Sequence, residues 1–206
     1  MQNVPVNLPD SLWLQNYFAD YANPRAKTAS LVRRGELYRL KRGLYIRPED
    51  VRDVFIQGRA ANRIYGPSYV SFVYALAWYG LIPEHAAHIT SATFGKGRKK
   101  RYDTPAGSFF YQDVPAHAYP YGITFMGEPH NRFLMACPEK ALCDELYRLS
   151  GIRSVHRIEA LLFEDLRLDP VDFGKLDSKT LIRFSSCYRT VTLKAFAKFL
   201  ERGHDA

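Results

Sequence analysis

Three sets of side chains have the types and spacing to do chemistry. Glu84, His85 and His88 place two histidines beside a carboxylate. The pattern is not HExxH and lacks a third ligand, so structural or surface histidines are expected and no metal is assigned. Glu139-Lys140, with Asp103 upstream, has the acid-and-lysine character of a metal-dependent nuclease. Glu139 falls at an expected helix start, however, where the helix dipole alone favours a carboxylate. The third set is cationic and cannot act on a bond by itself, but it can hold a polyanion. The chain has no GxSxG, no Cys–His pair of recognisable spacing and no GxxxxGK[ST]. A non-enzymatic protein without cofactors is therefore expected.

Where the cations sit decides what they mean. Lys and Arg number 29 against 21 Asp and Glu, a formal charge of +8. Residues 24–47 hold eight basic residues and one acid, and residues 91–101 hold five basic residues and none. Those segments carry +7 and +5, leaving the remainder at −4. Two local basic patches on a mildly acidic body favour an oriented polyanion contact over diffuse adsorption to a membrane. Residues 1–8 have no basic stretch followed by an apolar one, so no signal peptide is expected. The uncharged run 64–83 is broken by Gly66, Pro67, Ser68, Ser71 and Gly80, too often for a membrane span. Cys137, Cys143 and Cys187 are odd in number and lack CxxC spacing, which fits reduced cytoplasmic thiols.

The first patch needs elements to aim it. Asp10 or Ser11 can cap a helix over residues 11 to about 21, and Asn23-Pro24 restarts the chain as N-cap and first helical residue. This second helix runs to about Arg34, with Gly35 beyond its end. At about 100° per residue, Thr28, Ala29, Leu31 and Val32 share one arc. Lys27, Ser30, Arg33 and Arg34, with Ala26, share the opposite one. Residues 37–40 and 44–47 then read as two short strands joined by Lys41-Arg42-Gly43. A basic helix followed by a basic-tipped hairpin is the layout of a winged helix, with the helix in the major groove and the wing on phosphate or minor groove. Pro48-Glu49-Asp50 opens a third helix with Val51, Val54 and Phe55 on its inner face.

The run 31–46, LVRRGELYRLKRGLYI, resembles the winged-helix signature of AbiEi-type antitoxins of type IV toxin–antitoxin (abortive infection) systems. The similarity continues in order through GPSYVSF at 66–72, Ala75-Leu76, YGLIPE at 79–84, TSAT at 90–93, GSFFY at 107–111 and ACPEKAL at 136–142. It covers about residues 25–148 and is loose outside them. The resemblance implies a non-enzymatic autorepressor that binds inverted repeats in its own promoter as double-stranded DNA. It also implies a second domain that counters a nucleotidyltransferase-like toxin without a stable complex. DNA contacts carried over to this sequence are Arg25, Lys27, Thr28, Ser30, Arg33, Arg34, Arg39, Lys41 and Arg42. Two alternatives stand beside it: a stand-alone winged-helix regulator and a metal-dependent nuclease.

The remaining residues read as a second domain. Residues 70–79 form a helix apolar almost all round, with Ser71 as N-cap. Residues 87–94, 107–114, 122–127 and 132–136 read as strands. A helix follows with Pro138 at its first position and a polar face of Asp144, Glu145 and Arg148. Helices at 155–166, 178–187 (capped by Asp177) and 192–202 complete a helical tail. The expected fold class is α+β: a winged helix-turn-helix at 1–48, a connecting helix at 49–65, and a mixed α/β domain at 66–206. Lys96, Arg98, Lys99, Lys100 and Arg101 form the second patch, read as a flexible loop between strands and a second candidate phosphate contact.

Overall fold

The computed structural model describes residues 4–84, 86–149 and 151–204. Its elements begin where local signals demand. The Asp10 carboxylate accepts from the Trp13 amide and opens α1 (Ser11–Tyr17). Asn23 accepts from the Ala26 amide and opens α2 (Pro24–Arg33), where Pro24 sits at a position that needs no amide donor. Strands β1 (Tyr38–Lys41) and β2 (Leu44–Ile46) form an antiparallel ribbon. Lys41 pairs with Leu44, so the tip is only Arg42 and Gly43, and Gly43 takes φ 81° to close it. Two expectations are corrected here: α1 ends at Tyr17, and Lys41 belongs to a strand.

A 3₁₀ turn (Pro48–Asp50) leads to α3 (Val54–Ile64), whose N-cap is Asp53. Its buried face is Ile56, Gly58, Ala60, Ala61 and Ile64, while Val54 is exposed and Val51 and Phe55 are half-buried. Small residues win that face because α3 lies tightly on the sheet. A Cβ on Gly58 would stand 2.6 Å from the Phe133 ring.

The sheet is built from β3 (Tyr69–Val70), β4 (Ile89–Thr93), β5 (Lys100–Thr104), β6 (Gly107–Asp113), β7 (Ile123–Met126) and β8 (Phe133–Ala136). Its order is β5-β6-β4-β3-β8-β7, with β3–β8 and β4–β6 parallel and the other pairs antiparallel. Strand β5 was not expected; its charged residues pair along β6 from Lys100 opposite Tyr111 to Thr104 opposite Gly107. Helix α3 covers one face, where the Tyr111 hydroxyl donates to the Ala61 carbonyl at 2.7 Å. The other face meets α4 (Phe72–Trp78), which packs on β4 and on α5 (Pro138–Arg148). Then come α6 (Val155–Ala160), continued by one π turn (Leu161–Asp165), α7 (Pro170–Gly174), α8 (Ser178–Tyr188) and α9 (Val191–His204). Helices and a mixed sheet in successive stretches make this an α+β fold.

Helix α5 overturns another expectation. Asp144 and Glu145 are buried, not solvent-facing, and Lys140 lies with them. The Lys140 ammonium sits 2.8 Å from Asp144 Oδ1 and also donates to the Tyr188 hydroxyl. Tyr188 donates to the same carboxylate oxygen at 2.5 Å, while Tyr69 and Ser71 donate to Oδ2 at 3.0 and 2.6 Å. Ser71 does stand at the N-cap of α4, but its hydroxyl serves Asp144 and not the helix. Burial, followed by the nearby Asp144 charge, holds both tyrosines well above their ordinary pKa. Four donors on one carboxylate offset a desolvation that an isolated buried pair would not repay.

Two apolar clusters frame the molecule. Val4, Leu14, Phe18, Leu31 and Leu37 form a small one beneath α1 and α2. The ribbon's inner side chains Leu40, Leu44 and Ile46 belong to the large one, with α3 and the sheet. Each such side chain contributes about 1.5–3 kcal/mol when fully buried. No helix among the described residues is long and apolar enough to cross a membrane.

Candidate nucleic-acid interface

Leu31 and Thr28 turn α2 toward the small core and so choose which of its residues stay outside. The outward face is Arg25, Ala26, Ala29 and Arg33, rotated from the expected arc. Opposite it, alternation along the ribbon buries Leu40, Leu44 and Ile46 and leaves Arg39 exposed and Tyr45 half-buried. Between helix and ribbon lies an open cleft of about 970 Å³, lined by Arg25, Ala29, Val32, Arg33, Arg39, Arg42 and Tyr45 and closed on the α1 side by Ser11 and Gln15. Gln15 Oε1 accepts from Arg25 Nε at 3.4 Å.

The eight cations of residues 24–47 divide by what their side chains meet. Arg25, Arg33, Arg39 and Arg42 meet in the cleft. Arg34 instead pairs with Glu36 at 2.7 Å, and Arg47 holds Asp50 through two contacts of 2.6 and 3.0 Å. Lys27 lays its ammonium over the Tyr21 ring at 4.6 Å and the Phe18 ring at 5.9 Å, so it packs against aromatic rings from before α2. Lys41 reaches away from the cleft, donating to the carbonyls of Arg63 and Ile64 at 2.8 and 2.7 Å. It thereby caps the C-terminal end of α3, where a cation is favoured. Burial first, and then the Arg63 charge, lower its pKa. Thr28 lies in the cleft floor but is buried, its hydroxyl donating to the Pro24 carbonyl at 3.0 Å. Ser30 is half-buried and does not line the cleft.

The cleft's charge is thus carried by guanidinium groups alone. Arginine's planar fork binds phosphate or a guanine edge bidentately, which an ammonium cannot do. The small Ala26 and Ala29 allow close approach of a flat or grooved surface to the helix. Gln15 and Ser11 escaped the sequence reading, since nothing local marks a polar residue on α1 as facing a later hairpin. Tyr45 was recoverable from the alternation of Leu44, Tyr45 and Ile46.

The second patch is more ordered than a solvated loop. Asp113 Oδ2 accepts from the amides of Lys96 and Gly97 at 2.6 and 2.7 Å, and its Oδ1 accepts from the Thr93 hydroxyl at 2.6 Å. Lys96 Nζ donates to the Gly66 carbonyl at 3.2 Å and lies 5.4 Å from the Tyr65 ring centre. Arg98 is exposed and the Tyr65 side chain raises its pKa, Lys99 is exposed, and Lys100 and Arg101 begin β5.

The residues weighed as metal or nuclease sets have other partners. Glu84 pairs with Arg167 at 2.7 Å, His88 packs on the Phe110 ring, and His85 lies outside the described residues. Asp103 is held by Arg101 and Ser108, and those contacts lower its pKa. Glu139 accepts from the Asp177 amide at 3.2 Å. No three His, Cys, Asp or Glu side chains among the described residues converge as metal ligands. Compared with known proteins, the chain matches no family model and no curated sequence.

Proposed function

We propose that this chain is a DNA-binding transcriptional autorepressor and the antitoxin of a type IV toxin–antitoxin system. In this reading α1, α2 and the ribbon (residues 1–48) are a winged helix-turn-helix, with α2 entering the major groove and Arg42 at the wing tip on phosphate. The observation that carries it is the cleft of four arginines between α2 and the ribbon, with small residues on the helix face. Such a cleft favours the edge of a duplex over a small ligand, because it is open along its length and its charge lies on both walls. Residues 49–65 connect this unit to the domain at 66–206, which counters a nucleotidyltransferase-like toxin in the cytoplasm without forming a stable complex. That half of the proposal rests on the resemblance of residues 66–148 to the AbiEi-type antitoxins.

Fluorescence anisotropy of the full chain with duplex from upstream of its own gene, against a scrambled duplex at the same salt, tests the first half. At least a thousandfold preference is expected, on the order of the lower bound for specific binders. Equal affinity for the two duplexes overturns the repressor. Co-expression with the neighbouring reading frame tests the second half: growth is restored if the chain is an antitoxin, and stays arrested if it is only a regulator.

A further inference from the structure

The two basic patches are far apart in sequence and adjacent in space. Strand β1 lies alongside edge strand β5, and α3 touches both the ribbon and the sheet. The junction is the C-terminal end of α3. There Lys41 of the ribbon donates to the Ile64 carbonyl, and the next residue, Tyr65, interacts with the Arg98 guanidinium and lies under the ammonium of Lys96 at 5.4 Å. Tyr65 in turn packs on Tyr102 of β5 and Tyr111 of β6. Asp113 pins the 96–97 backbone, so Arg98 projects from a held loop.

Register divides the cations of β5 between the two faces of the sheet. Lys100 pairs with Tyr111 and shares its face with Tyr102, and the Lys100 ammonium stands 5.9 Å from the Tyr102 ring centre. This is the face that α3 covers and the ribbon borders. Arg101 pairs with Phe110 on the opposite face, stacks over that ring at 5.0 Å, and is held by Asp103 at 2.8 Å. Only part of the basic run therefore lies on the α3-covered face, next to the ribbon.

We infer that Arg98 and Lys100 extend the DNA-binding surface, contacting backbone phosphates of the same duplex that the cleft engages, while Arg101 takes no part. The inference rests on the DNA-binding reading above. It adds a non-specific contact, since phosphates fix register and orientation but carry no base identity.

The test is the salt dependence of binding by the full chain to a duplex of about three helical turns containing the upstream sequence. Each lost phosphate contact lowers the slope of log K against log salt by about 0.9. Arg98→Ala/Lys100→Ala should lower it by about two, with equal affinity loss on operator and scrambled duplex. Arg101→Ala should leave it unchanged. Thermal melting of both variants at the unmodified chain's temperature shows that the fold is kept. A double variant with an unaltered slope overturns the extension and leaves the DNA-binding reading standing. An Arg101→Ala slope change as large as that of the double variant overturns the assignment of faces. Absence of duplex binding by the unmodified chain overturns both readings together.

Discussion

Charged residues are concentrated in two regions of this molecule under opposite physical conditions. In the α2–ribbon cleft four arginines face solvent with no carboxylate among the lining residues. Inside the second region Lys140 and Asp144 are 1% and 0% exposed and are saturated by Tyr69, Ser71 and Tyr188. The first arrangement is open, because no carboxylate of the cleft lining balances its charge. The second is closed, because Lys140, Tyr69, Ser71 and Tyr188 all donate to the buried Asp144 carboxylate. Charge left open on a surface is available for binding, whereas charge sealed with its partners fixes how α5, α8 and the β3–α4 junction meet. Electrostatic content alone would have ranked the two regions alike.

The largest effect that separates them is on stability. Asp144→Asn removes the countercharge and strands the Lys140 ammonium, which should cost about 3–5 kcal/mol in urea unfolding. Adding Lys140→Met removes the stranded charge and should restore more than half of that loss. Strictly additive losses would mean that the pair is not coupled, and the contrast with the cleft would collapse. In buffer where it remains folded, the Asp144→Asn chain should bind duplex DNA as the unmodified chain does.

The same contrast explains what the sequence could disclose. Signals that act on the neighbouring backbone were legible: Asn23-Pro24 opening α2, Gly43 closing the ribbon, Asp177 capping α8 and Pro138 starting α5. Each operates within a turn of chain, so no distant partner can change its meaning. Signals that depend on a partner were not. Asp144 and Glu145 read only as a polar face because nothing local announces Tyr188, 44 residues further on, or Tyr69 on β3. The arcs of α2 were rotated because Lys27 looks polar on a wheel, yet it lies over Phe18 and Tyr21 from outside the helix. Strand β5 was hidden because its alternation is lysine and tyrosine against arginine and aspartate, with no apolar stripe for a pattern to find. The cationic character of the candidate site was legible; which cations compose it was not.

Within the cleft, the structure separates neighbours that the sequence treated alike. Arg33 faces the cleft, whereas Arg34 is tied to Glu36. Arg33→Ala should weaken binding to the upstream duplex by about 1–3 kcal/mol, with a smaller loss on scrambled DNA, if its fork reads a base edge. Arg34→Ala should change neither by more than about 0.5 kcal/mol, the range of an exposed surface substitution. Anisotropy titrations of the two variants decide the matter. Equal losses from both would mean that α2 lies on DNA by its expected arc, not by the face the cleft presents.

The smallest effect is also the most discriminating, because it lies at the boundary between open and sealed charge. Lys41 and Arg42 are adjacent, but Lys41 is half-buried against the end of α3 and Arg42 is exposed at the ribbon tip. Lys41→Ala removes two hydrogen bonds to helix-end carbonyls and should cost about 1–2 kcal/mol of stability, as for a partly buried cation at a helix C-terminus. The salt slope of DNA binding should be unaffected. Arg42→Ala should do the reverse, lowering the slope by about one and leaving the urea midpoint in place. A change of slope from Lys41→Ala without loss of stability would return Lys41 to the wing. The ribbon would then touch DNA along its strand as well as at its tip.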